Sequence, residues 1–197
     1  MPIADCTGVL LAGGQSQRFG SNKALAELGG ARLIEYPARV LTELFRHRLL
    51  VTNRPELYTF LDWPTIPDLN PGGGPLAGIE AALTSAPTPF IFVAACDMPH
   101  LDRALIAHLC TLAPGYDAVI PVTEKGWEPL HGVYGRSALP AIAAALAGGV
   151  SKLQVVLSQL KVREAGEAEM LAVSTDAWRS FCNINTVADL PAAAMEF

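Results

Sequence analysis

The chain is poor in charge and in aromatic residues, which make up 17% and 7% of its 197 positions. With a hydrophobic share of 51%, so little charge excludes an intrinsically disordered chain. Basic residues are too few to dominate: 14 Lys and Arg stand against 19 Asp and Glu, and the net charge is −5. Electrostatics therefore gives no reason to expect DNA or RNA as a partner. A membrane-length apolar run is lacking despite a mean hydropathy of +0.31. The longest nearly apolar stretch, Ala138–Val150, is too short and contains Pro140. No basic residue precedes Arg18, so a targeting peptide is not expected, and the reading is a soluble cytoplasmic protein without membrane association. Cysteine is sparse, at positions 6, 96, 110 and 182, with no CxxC spacing and no zinc pattern with His47, His100, His108 or His131. A structural role as small buried hydrophobes is expected for the thiols.

What is present is an alternation of short apolar runs and helical patterns. Thr7–Leu11, Arg48–Thr52, Pro64–Pro67, Phe90–Ala95 and Ala118–Val122 read as strands, and Leu130–Tyr134, Val162–Arg163 and Leu171–Val173 as weaker ones. Leu33–Phe45, Pro55–Leu61, Leu76–Ser85, a segment capped by Asp102 and ending near Leu112, Ala138–Ala147, Lys152–Leu160 and Thr186–Ala194 read as helices. No repeat or linker divides the chain, so residues 1–197 are expected to form one domain. The alternation implies an α/β fold, a mostly parallel sheet covered on both faces. Ligands of such sheets sit beyond the carboxyl ends of the strands, and polar or glycine-rich segments should therefore follow them.

They do. The first strand runs into LAGGQSQRFGSNK, residues 11–23. Gly13 and Gly14 let successive amides face an anion, and Arg18 and Lys23 add positive charge in an otherwise acidic chain. Phosphate binding follows; a flexible loop with two solvated cations is the competing reading. The spacing fits neither a Walker A loop nor the dinucleotide fingerprint. Asn53 ends the second strand as a base or ribose contact, or as a cap for the segment opening at Pro55. Asp68 follows the third strand, either to accept from a base edge or ribose or to form an ordinary Asp turn. In Pro71-Gly72-Gly73-Gly74-Pro75, exposed amides run into the helix at Leu76, as a plain turn or as an anion site. Asp97 ends the fourth strand, and alternation puts it opposite Cys96: a core-facing thiol leaves the carboxylate facing the cleft, with a helix cap or loop acid as the competing reading.

Four segments in order, LAGGQSQRFGSNKAL, PDLNPGGGPLAGI, ACDMP and FCNINTVADL, resemble the signature motifs of the molybdenum cofactor guanylyltransferases, over residues 7 to 190. The resemblance implies a three-layer α/β/α, Rossmann-like nucleotidyltransferase fold that joins GMP from GTP to molybdopterin and releases pyrophosphate. It implies that the backbone of Leu11, Ala12 and Gly13 holds the base and that Arg18 and Lys23 engage the phosphates. Asn53 and Asp68 become nucleotide contacts, and Asp97 the ligand of Mg²⁺. The acceptor side is expected at Gly73, Gly74 and Pro75, at Asn183 and Asn185, and along Glu128–Tyr134. Transient contact with molybdoenzymes or cofactor-delivery proteins follows from the product's destination. The sequence departs from the family pattern at Asn22, where an Asp is commoner, and at Val187-Ala188, which replace Pro-Glu. A cytidylyltransferase of the same cofactor is the nearest alternative, although its loop typically reads LAAG. A catalytically silent GTP- or pterin-binding protein is the alternative from another class.

Overall fold

A computed structural model describes residues 2–13, 22–70, 72–186 and 189–190. Strand β1 (Ile3–Leu11) is followed by a small antiparallel ribbon of β2 (Glu27–Leu28) and β3 (Ala31–Arg32). Then come α1 (Glu35–Leu44), β4 (Phe45–Val51), β5 (Thr65–Ile66), α2 (Gly74–Ser85), β6 (Phe90–Ala95) and α3 (Arg103–Leu112). The second half holds β7 (Ala118–Thr123), β8 (Gly126–Trp127), β9 (His131–Gly135), α4 (Leu139–Ala147), α5 (Leu153–Leu157), β10 (Val162–Ala165) and α6 (Glu167–Val173).

The main sheet runs β10-β7-β9-β6-β1-β4-β5, with β8 paired to β7. Pairings β1–β4, β1–β6, β4–β5 and β7–β10 are parallel, while β9 is antiparallel to both its neighbours, β6 and β7. The expected mostly parallel sheet is thus present, with β9 reversed between β7 and β6 and the short β8 antiparallel to β7. Period-two alternation divides the side chains between two cores. Cys6, Leu10, Phe92, Ala94 and Val119 face the layer of α1, α3 and α6. Val9, Leu11, Ile91, Val93 and Ile120 face the layer of α2, α4 and α5. Ile91, Phe92 and Val93 of β6 are wholly buried, each worth roughly 1.5–3 kcal/mol of transfer free energy, so the strand that leads to Asp97 is firmly seated.

Local chemistry accounts for the helices that frame the carboxyl edge. The Asp102 side chain accepts from the Leu105 amide at 2.7 Å and starts α3 where the sequence places its cap. In α1, Pro37 falls in the first turn, where no intrahelical donor is lost. Helix α2 is apolar nearly all round because it lies between the sheet and α4, burying Leu76, Ala77, Ile79, Ala82 and Leu83. Gly78 brings it close: a Cβ there would stand 3.0 Å from Leu11 Cδ2.

Three sequence expectations need correction. Leu171–Val173 is the end of α6 and not a strand, since Met170 alone of that helix is buried and Leu171 points outward. Pro55–Leu61 is two 3₁₀ turns, Pro55–Leu57 and Thr59–Leu61, separated at Tyr58. Helix α2 begins at Gly74, two residues before the expected start. Most of the helix expected over Thr186–Ala194 lies outside the described residues.

Candidate active site

Strands β5, β4, β1 and β6 are parallel neighbours, so their carboxyl ends share one edge of the sheet. Along that edge stand Asp68, Asn53, Gly13 and Asp97, in that order. The Leu11 carbonyl accepts from the Cys96 amide at 3.3 Å, and the Ala12 amide donates to the Val51 carbonyl at 2.9 Å. The base-binding segment expected at Leu11–Gly13 is therefore anchored to both neighbouring strands before it leaves the sheet. Gly14 and Arg18 lie outside the described residues.

Lys23 and Asp97 meet at this edge. Lys23 Nζ donates to Asp97 Oδ2 at 2.6 Å and to Asn185 Oδ1 at 3.3 Å. The side chains of Lys23 and Asp97 are only 12% and 20% exposed, so the pair is largely shielded from solvent. The Asp97 carbonyl accepts from the Ile184 amide at 3.0 Å, which ties the late Asn183-Ile184-Asn185 segment to the end of β6. Asp97 Oδ1 is buried and has no hydrogen-bond partner among the described residues. A buried carboxylate oxygen without a donor suits a hard cation, and Mg²⁺ usually takes one or two carboxylates together with phosphate oxygens. No group of three or more His, Cys, Asp or Glu among the described residues could hold a metal on its own. Cys96 packs against the α1/α3/α6 core, and burial, then the neighbouring Asp97 charge, pushes its thiol up to about 12.

The remaining expected residues fall into two groups. Asn53 does not cap the Pro55 turn; its Oδ1 accepts from the Asp68 amide at 2.9 Å, linking the ends of β4 and β5. Asp68 in turn accepts from the Asn70 amide at 2.8 Å, and the Asn70 side chain donates to Glu80 of α2 at 2.5 Å. Gly73 donates to the Asn70 carbonyl at 2.9 Å, Gly74 takes a left-handed φ of +61°, and Pro75 lies in the first turn of α2. Asn183 is exposed, and its carbonyl accepts from the Asn185 side chain at 3.5 Å. His131 lies inside the protein. It is fully buried, edge-on to Phe92 and Phe181 at 5.1 Å each, and burial holds its imidazole down near 3. His108 of α3 pairs with Glu169 of α6 at 2.9 Å.

Several positioning groups escape a reading of the sequence. Asn22, at the family's usual Asp position, caps the Lys23–Leu25 turn and donates to the Tyr58 hydroxyl at 2.9 Å. The carboxylate that orients Lys23 is thus Asp97 and not its chain neighbour. Asp189 accepts from the Asn185 and Thr186 amides, each at 2.7 Å, and so orients the segment carrying Asn185. The Thr186-to-Asp189 spacing of a capping box was the available signal.

A model of the MobA-like NTP transferase domain matches residues 8–164. A protein named molybdenum cofactor guanylyltransferase from Desulfosudis oleivorans is 36% identical, covering 95% of this chain and 93% of the relative. One from Peptoclostridium acidaminophilum, named probable molybdenum cofactor guanylyltransferase, is 35% identical over 93% of this chain and 86% of its own length. The crystal structure of molybdopterin-guanine dinucleotide biosynthesis protein A from Archaeoglobus fulgidus superimposes with a TM-score of 0.85 at 30% identity, covering 96% of this chain and 97% of that one. Sheet order, carboxyl-edge constellation and extended likeness agree: the chain belongs to the MobA-like NTP transferase family and is a nucleotidyltransferase.

Proposed function

We propose that this enzyme transfers GMP from GTP to molybdopterin and releases pyrophosphate. The observation that carries the reading is the shielded Lys23–Asp97 pair at the carboxyl ends of β1 and β6, with one carboxylate oxygen left without a donor. The terminal phosphate of molybdopterin attacks the α-phosphorus of GTP. A phosphorus–oxygen bond forms there as the bond to the bridging oxygen of the β-phosphate breaks. The nucleophile is already ionised at neutral pH, so no general base is required, and positioning and charge neutralisation are the protein's tasks. Lys23 and the loop cation Arg18 stabilise the departing pyrophosphate, helped by amides of Gly13 and Gly14. The Ala12 carbonyl and Gly13 amide, beyond the groups tied into the sheet, meet the base, while Asn53 and Asp68 serve the nucleoside. Asp97 would hold Mg²⁺, which supplies Lewis-acid neutralisation of phosphate charge when bound.

The test is single-turnover release of pyrophosphate from GTP and molybdopterin with Mg²⁺, repeated with CTP, ATP and UTP. Release with GTP well above the other three supports the assignment; preference for CTP replaces it with the cytidylyl reaction. Binding of GTP without any release would make the chain a silent carrier. Among the described residues no helix is long and apolar enough to cross a membrane, and we place the reaction in the cytoplasm.

A further inference from the structure

Lys23 stands on a three-residue 3₁₀ turn, Lys23–Leu25, and whatever holds that turn decides where its ammonium points. The Ala24 and Ala26 carbonyls accept from the Ile34 and Leu33 amides at 3.0 and 2.8 Å, which ties the carboxyl half of the turn to the entry of α1. The amino half is held through the Asn22 side chain. Its Oδ1 accepts from the Ala24 amide at 3.2 Å, and its Nδ2 donates to the Tyr58 hydroxyl at 2.9 Å. That hydroxyl in turn donates to Asn22 Oδ1 at 3.3 Å.

Tyr58 is the fixed member of this pair. It joins the turns Pro55–Leu57 and Thr59–Leu61: its amide donates to the Pro55 carbonyl and its carbonyl accepts from the Leu61 amide, both at 3.0 Å. Its side chain is buried in the α1/α3/α6 core, in the same cluster as Ala24 of the lysine turn. A ring seated in a close-packed core cannot swing its hydroxyl aside. Burial pushes the phenol up, against the lowering effect of the Asn22 bond, so at neutral pH the hydroxyl is intact and can both accept and donate. The pairing also suits this chain's departure from the family pattern. A carboxylate at position 22 would bring acceptors alone and could cap the turn without a partner. The amide of half-buried Asn22 brings N–H groups as well, and leaving them without an acceptor is unfavourable. Tyr58 supplies that acceptor.

We propose that Tyr58 is a positioning residue for the transfer: through Asn22 it fixes the turn from which Lys23 reaches Asp97 and the nucleotide phosphates. The inference rests on Lys23 engaging those phosphates in the proposed reaction. Tyr58 acts from the core and needs no contact with substrate. The chain that carries it starts beside Asn53, whose Oδ1 takes the Asp68 amide, so the nucleoside side and the phosphate side of the edge share one support.

Tyr58→Phe removes the hydroxyl and keeps the ring, and two measurements read the result. In the first, an amine-acylating reagent is applied briefly to nucleotide-free protein, and peptide mapping compares label on Lys23 with label on exposed Lys152. Lys23, 12% exposed and paired with Asp97, should react slowly in the wild type. In Tyr58→Phe it should react roughly three- to tenfold faster, the equivalent of one lost hydrogen bond. In the second, kcat for transfer should fall roughly tenfold, with a smaller change in KM for GTP. Both effects should largely disappear when Tyr58→Phe is made in an Asn22→Asp background, where no amide needs the hydroxyl. Unchanged Lys23 labelling or an unchanged kcat overturns the proposal. Losses of equal size in both backgrounds overturn it too, because the hydroxyl would then serve the core and not Lys23. Wild-type protein that transfers nothing to molybdopterin refutes the proposed reaction, while the labelling still decides whether Tyr58 places Lys23.

Discussion

Lys23 Nζ stands 2.6 Å from Asp97 Oδ2, a contact between residues 74 positions apart that joins the exits of β1 and β6. One oxygen of Asp97 is thus held by the lysine while the other has no described donor. Asp97→Asn keeps the shape and a hydrogen bond to Lys23 but removes the charge. Mg²⁺-dependent transfer should fall by about 10²–10³, the loss typical of an oriented electrostatic group, and Asp97→Ala should abolish it. Single-turnover pyrophosphate release measures both, with circular dichroism to confirm the fold. Near-normal turnover in the Asn variant would remove Asp97 from the chemistry.

The same contact makes Lys23 the resident counter-ion of Asp97. Lys23→Met should raise the affinity of nucleotide-free protein for Mg²⁺ in a calorimetric titration, because Asp97 Oδ2 is released. Lys23→Ala should raise the chemical barrier by about 2–4 kcal/mol. If only KM for GTP rose, the lysine would contribute uniform binding and not transition-state stabilisation.

His131 predicts an acid limb of stability. Folded, its imidazole is held near 3 by burial; unfolded, it titrates near its ordinary value of about 6.5. Between those values the unfolded chain binds the extra proton, so stability falls as pH drops through that window, by at most about 1.4 kcal/mol per pH unit from this group. His131→Phe, which retains the ring between Phe92 and Phe181, should flatten that part of a denaturation series. An unchanged slope would mean that other groups govern acid unfolding.

Thiol reactivity should follow burial. Cys6 and Cys96 are both desolvated and their thiols pushed up, whereas Cys182 is exposed. Brief alkylation at neutral pH followed by peptide mapping should find label on Cys182 and little on Cys6 or Cys96. Labelling of Cys96 at a comparable rate would show that the end of β6 opens readily.

Gly73 has no room for a side chain. A Cβ would stand 2.8 Å from Ala77 Cβ, 2.9 Å from Leu146 Cδ2 and 3.1 Å from the Asn70 carbonyl oxygen. Gly73→Ala should cost about 1–3 kcal/mol in thermal or urea unfolding through overpacking where α2 meets α4. A stability equal to wild type would show that the Asn70–Gly74 turn shifts freely.

How far this arrangement could be read beforehand differs by element. Phe90–Ala95 and the Asp102-capped α3 were plain, because an unbroken apolar run and a capping acid are local signals. The reversal of β9 was not, since a buried strand has the same composition whichever way it runs. Leu171–Val173 misled because three apolar residues cannot display a period. Asp97 was legible as an acid closing a buried strand. Its pairing with Lys23, the Asn53 bond to Asp68 and the Asn22 bond to Tyr58 come from the fold's choice of neighbours, which spacing along the chain does not encode.

The Asp97 carbonyl takes its hydrogen bond from Ile184, and Lys23 touches Asn185, so the end of β6 is clasped by segments 162 positions apart in the chain. During synthesis the early segment emerges with no late one to meet it. Competence for transfer therefore waits until Ile184 and Asn185 have been made, and a product terminated before them would keep residues 11–23 while losing the clasp.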